Sequence, residues 1–161
     1  MNSRYLKILF SGAVCLYTAL VCFNNLVDYP SNFQFVRRVA GMEDTFSVAR
    51  NGWRSVHAPW LHHLLFVGII LWEWAVAVLT GIGAVSMSRK LRLPAADFEK
   101  AKGVTALGLA LGVLLWFVVF IAIGGEWFLM WQSKNWNAQP TAFMLTCCFL
   151  LFLVFHRQPD A

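Results

Sequence analysis

Two groups of residues in this chain have the types and spacing to do chemistry. The first is a single carboxylate, Glu73, flanked by Trp72 and Trp74 near the middle of an apolar run. An unpaired carboxylate at that depth is costly, so Glu73 is expected to face other helices, where it would hold a proton, an ion, a ligand or a hydrogen-bonding neighbour. The second is Gly124-Gly125-Glu126-Trp127-Phe128-Leu129-Met130-Trp131-Gln132-Ser133-Lys134-Asn135-Trp136-Asn137, which lies between two apolar runs. This belt gathers a carboxylate, three tryptophans, a glutamine and two asparagines. Asn24, Asn25 and Asp28 close an earlier apolar run at a similar depth. Amides and carboxylates that converge from several helices beside tryptophan walls have the composition of a small-ligand pocket. The same groups would equally satisfy one another and the water at helix ends.

His62 extends the Glu73 line. Eleven residues at about 100° each return nearly to the starting direction, which puts His62 on the Glu73 face, about 16 Å nearer the belt, with His63 pointing away. Such a column could guide protons, but groups that far apart on one helix cannot share an ion. Any ligand site must therefore be completed from other helices.

Other chemistries lack support. His57, His62 and His63 cluster near one face and His156 near the other, which disfavours a haem held between two histidines. No HExxH, GxxxxGK[ST] or GxSxG motif occurs, so a zincin, a nucleotide-phosphate loop and a hydrolase elbow are all unsupported. No metal and no cofactor are expected, although a bound lipid or quinone would suit the belt. Cys15, Cys22, Cys147 and Cys148 all lie in apolar runs and read as small buried hydrophobes.

The elements that must position these residues follow from composition. The 161 residues are 59% apolar and 13% charged, outside the usual soluble range, so this is a membrane protein. The net charge of +5 falls between the apolar runs and reads as orientation and contact with anionic lipid, not as a nucleic-acid surface. A spanning helix needs about 20 apolar residues. Four runs reach or approach that length, roughly 6–27, 61–87, 104–128 and 138–155. The expected fold is an all-α membrane protein, one four-span bundle over 1–161. The fourth run is the shortest and starts with Pro140 in its first turn, where the missing amide donor costs least. The first run is too long for a secretory signal and lacks a small-x-small cleavage pattern, so it reads as an uncleaved span.

Arg4, Lys7, Arg89, Lys90, Arg92, Lys100, Lys102 and Arg157 outnumber Arg37, Arg38, Arg50, Arg54 and Lys134 on the other face. That balance predicts both termini in the cytoplasm. The long first loop places Phe35, Val36, Val39, Met42 and Phe46 near one side of a helix, which predicts a short interfacial helix, with Asn51-Gly52 as a turn and Trp53 and Trp60 as headgroup anchors. Leu93-Pro94 breaks the middle loop, after which Asp97 either caps a helical extension or lies in a solvated stretch. Gly108 and Gly112 form a GxxxG step, which favours packing within the bundle over an oligomer interface.

With these residues in view, the chain resembles a bacterial family of predicted small integral membrane proteins, domain of unknown function 2165. The resemblance covers nearly the whole length. It rests on Asn24-Asn25-Leu26-Val27-Asp28-Tyr29, Asn32 to Arg37, Met42 to Phe46 and, above all, Gly124-Gly125-Glu126-Trp127-Phe128-x-Met130-Trp131-Gln132-Ser133 followed by Trp136-Asn137. It implies four spans and a bacterial cytoplasmic membrane, and no particular activity. The function expected is a non-enzymatic accessory or scaffold subunit. Its belt (Glu126, Trp127, Trp131, Gln132, Trp136, Asn137, with Asn24, Asn25 and Asp28) would bind a partner protein, a lipid or a quinone, in a larger membrane complex or a homo-oligomer. The alternatives are a small oligomeric proton- or cation-coupled transporter using Glu73, and an embedded enzyme acting on a lipid-like substrate.

Overall fold

A computed structural model describes residues 3–160. Its helices are α1 (Ser3–Val27), α2 (Tyr29–Ala40), α3 (Val48–Asn51), α4 (Pro59–Arg89), α5 (Ala95–Leu114) and α6 (Gln139–Arg157). Helix α5 runs without a break into a π-wound stretch, Leu115–Trp127. Single 3-10 turns stand at Gly52–Arg54 and Met130–Gln132. Among the described residues there is no strand, and four helices are long and apolar enough to cross a membrane: α1, α4, α5 with its π stretch, and α6.

The third span starts earlier than its hydropathy suggests. Pro94, with its φ fixed near helical values, leads into α5 at Ala95, and Asp97 sits in the first turn, where a carboxylate favours the helix dipole. Phe98 and Ala101 hold this charged turn in place by packing on Met87 of α4. The first-loop helix also differs from expectation: α2 ends at Ala40, so Met42 and Phe46 lie beyond it. Met42 adopts φ 52, a left-handed conformation that ends the helix, and its side chain is fully buried.

The spans form an antiparallel row in which α1 packs on α4, α4 on α5, and α5 with its π stretch on α6. Phe10 and Phe152, stacked at 5.1 Å, bring α6 back to α1. Lipid tails give apolar side chains little reason to associate, so close backbone approach must hold such a bundle together. A methyl group at Gly83 would overlap the Thr105 hydroxyl and come within 2.8 Å of the Thr105 backbone nitrogen. The GxxxG step is consumed inside the chain: Gly108 lies against Thr80 of α4 and Gly112 against the Phe149 ring of α6.

Where helix α5 changes to π winding, the Trp72 indole donates to the Leu111 carbonyl at 3.1 Å. A side chain that claims a ladder carbonyl is a recognised cause of such local rewinding. The π pattern persists to the end of the stretch, where the Phe128 N–H donates to the Ile123 carbonyl at 3.0 Å.

Gly83→Ala should force α4 and α5 apart and cost about 1–3 kcal/mol, the usual range for overpacking. Gly103→Ala, where nothing lies within 4 Å of the added carbon, should be neutral or stabilising. Thermal unfolding of the two variants in detergent checks the difference.

Candidate functional site

Glu73 faces the bundle and is 2% exposed. Asn25 of α1 donates its Nδ2–H to Glu73 Oε2 at 2.8 Å. The Cys22 thiol lies one turn away, 3.3 Å from the Ile70 carbonyl and 3.7 Å from the same carboxylate oxygen. Among the described residues no ion pair reaches Glu73. The carboxylate borders a cavity of about 230 Å³ between α1, α2, α4 and the π stretch. Trp116, Phe120, Phe66 and Phe35 supply aromatic walls, and Asn25 and Asn32 add amides. Trp116 is 8% exposed, and its buried Nε1–H has no acceptor among the described residues. Helix α2 roofs the space: Val36 packs with Cys22, Phe66 and Ile70, and Asn32 donates to the Asn24 and Asp28 carbonyls, tying the roof to the end of α1.

An apolar groove of about 70 Å³ adjoins the cavity. It shares the walls Phe35, Val36, Ile69 and Phe120 and continues to Ile123 and Met130.

Gly124, Phe128 and Met130 of the belt line that groove, but its tryptophans and polar side chains do something different. Trp127 meets Trp53 edge-on at 5.8 Å, with Arg54 over both rings. Trp131 meets Phe46, and Trp136 lies under the Arg38 guanidinium. Ser47 donates to Gln132 Oε1 at 2.8 Å, and Ser133 donates to Asp44 Oδ2 at 2.6 Å. Each of these belt residues therefore clasps the first loop onto the end of the bundle. The bond from Ser133 is the main reason that the Asp44 carboxyl is held below its usual range; it outweighs a small desolvation effect, and Asn135 and Arg38 assist it.

The expected site residues thus divide. Asn25 joins Glu73, whereas Trp127, Trp131, Gln132 and Trp136 form the clasp. Asn137 accepts from the Gln139 N–H at 3.0 Å at the start of α6. Asn24, Asp28 and Glu126 are exposed. His62 is buried but engages the Val56 carbonyl at 2.7 Å, so it braces the loop and does not meet Glu73. Cys22, Asn32 and Trp116 were missed by sequence reasoning. Cys22 could have been found by stepping from Asn25 by one helical turn.

A second polar cluster, also missed, sits at the end shared by both termini and the α4–α5 turn. Lys7 and Lys102, both buried, donate to the same Asp160 carboxylate oxygen at 2.7 and 2.9 Å and to the Gln158 carbonyl. Ser3 donates to the other Asp160 oxygen, Lys102 also pairs with Glu99, and Arg4 donates to the Leu91 and Leu93 carbonyls. Burial works to raise the Asp160 pKa, but donation from Lys7, Ser3 and Lys102 overcomes it and holds the carboxyl well below its usual range. Lys7 and Lys102 read as orientation charges because sequence distance hides the partner at 160.

Four apolar helices around one buried carboxylate and a ligand-sized cavity define a multi-pass integral membrane protein. The chain belongs to the family described as "Predicted small integral membrane protein (DUF2165)", whose model matches residues 3–159. Among curated proteins, and among solved structures, nothing matches the chain.

Asp160→Asn should leave buried Lys7 without a carboxylate and Lys102 with Glu99 alone, and cost about 3–5 kcal/mol, read as a lower unfolding temperature. Because the folded pKa of Asp160 is depressed, its contribution is present above the unfolded value of about 3.9 and is lost only as pH falls through the lower folded value. The wild-type advantage over Asp160→Asn should therefore persist at pH 4. Ser133→Ala should loosen the clasp, seen as faster amide exchange in 44–47 and 132–136. The Asp44 contribution follows the same sign, so wild-type protection of the loop should hold from neutral pH down to about pH 4 and fade below it.

Proposed function

We propose that this protein is a non-enzymatic accessory subunit of the bacterial cytoplasmic membrane that holds a lipophilic molecule, a lipid or a quinone, by its polar head in the Glu73 cavity. The observation that carries this reading is the pairing of a buried carboxylate with an unanswered indole N–H on the walls of one space. Buried donors are almost always bonded, so an orphan beside a cavity points to a ligand that supplies the acceptor. The clasp keeps the roof closed over the head. Trp127 and Trp131, still 48% and 44% exposed, would face headgroups or a neighbouring subunit in a larger complex or homo-oligomer. The excess of Lys and Arg at the terminal end supports an orientation with both termini cytoplasmic.

A binding role suits this site better than catalysis. Acid–base work needs a second titratable group within reach of the first, and no histidine lines the cavity. A second reading, proton- or cation-coupled transport, draws on the absence of an ion-pair partner for Glu73 among the described residues.

Native mass spectrometry of gently extracted protein, with lipid extraction of the same sample, should show one small lipophilic molecule per chain. Glu73→Leu should release it and Trp131→Ala should not. A bare wild-type protein would sink this reading and send the question to proton and cation flux in liposomes.

A further inference from the structure

We propose that the ligand of the Glu73 cavity is a neutral, ring-headed lipid of the quinone class, its ring against Trp116 and its tail leaving along the apolar groove. This rests on the reading above and narrows it to one chemistry.

Size decides first. Small-molecule pockets run from about 300 to 1,000 Å³, and at about 230 Å³ this one suits a single ring better than a branched phospholipid head. Charge decides next. Among the described residues no Lys or Arg lines the cavity, and its one ionisable wall residue is a carboxylate, so a phosphate would find nothing there to neutralise it. Shape points to a flat head: Trp116 and Phe120 lie 4.7 Å apart at 33°, Phe35 stacks on Phe120 at 6.3 Å, Phe66 adds a further wall, and offset aromatic surfaces favour another ring.

A lipophilic cation is the strongest competitor, since carboxylates and aromatic faces both attract one. Donor arithmetic separates the two. Glu73 accepts at Oε2 from Asn25 and can accept more, whereas the buried atom without a partner among the lining residues is a donor, Trp116 Nε1. A cation can satisfy the carboxylate but leaves that N–H orphaned. A ring carbonyl answers it, and a second ring oxygen, as carbonyl or hydroxyl, can meet the amides or the carboxylate on the other side. The groove past Ile69 and Phe120 to Ile123 then takes the first links of an apolar tail.

The test uses the full chain in nanodiscs of neutral phosphatidylcholine, titrated calorimetrically with a decyl-substituted benzoquinone, the same ring without the decyl chain, and decyltrimethylammonium. The decyl quinone should bind once per chain. The bare ring should bind at least tenfold more weakly, and the ammonium more weakly still. Trp116→Phe keeps the ring and removes the N–H, so it should weaken the quinone about tenfold. Ile123→Trp should fill the groove, cancelling the gain from the tail while leaving the bare ring unaffected. Tighter binding of the ammonium than of the quinone, or no loss in Trp116→Phe, overturns the proposal. If native extraction yields a bound molecule of another class, the quinone assignment fails and the binding-subunit reading stands. If the extracted protein is bare and no probe binds, both fail.

Discussion

The contact between Asn25 and Glu73 is the one on which the rest of the bundle depends. A carboxylate at mid-span is tolerable only where another helix brings it a donor, and α1 does so one turn from its end. That requirement fixes the register of α1 against α4. It also puts Cys22 beneath the carboxylate and draws the start of α2 over the top. Because the surrounding lipid is as apolar as the side chains facing it, shape alone would hold the register loosely. Polar contacts at two depths do it instead: the amide and carboxylate in one half, and the two lysines on Asp160 at the other.

Between those depths the helices meet through missing side chains. Gly83 admits the Thr105 backbone, and Gly108 and Gly112 admit α4 and α6. The π winding after Leu114 then turns the second half of the third span to new directions. A residue wound at π pitch turns less than one in an α-helix, so faces extrapolated from α5 do not carry through to Glu126 and Trp127. Glu126 consequently faces outward, while Trp116 and Phe120 face the cavity.

Span number and the turning of Glu73 toward other helices could be read from hydropathy and cost, whereas the early start of the third span at Ala95 could not. The partner of Glu73 was only half legible. Asn25 stood among the candidate residues, but nothing in a single sequence says which of several amides at one depth will reach a given acid. The clasp was legible as composition and not as pairing, because Trp127 with Trp53 and Ser133 with Asp44 depend on how a long loop folds back. The terminal cluster was hidden for the same reason: Lys7 and Asp160 are at opposite ends of the chain, and hydropathy treats each as an isolated charge. The π stretch left no trace in the residue pattern at all.

Two turns in the outer half are made by residues poorly suited to them. Met42 and Leu129 take left-handed φ values of 52 and 56, where glycine would be free of strain, and both side chains are buried. Such conformations cost about 1–3 kcal/mol and persist only where the surroundings compel them. Each therefore acts as a peg driven inward from the loop. Lifting the loop away from the bundle means drawing both side chains from buried sockets. The loop end of the bundle is thus pinned from within by two buried side chains as well as clasped from without by the belt.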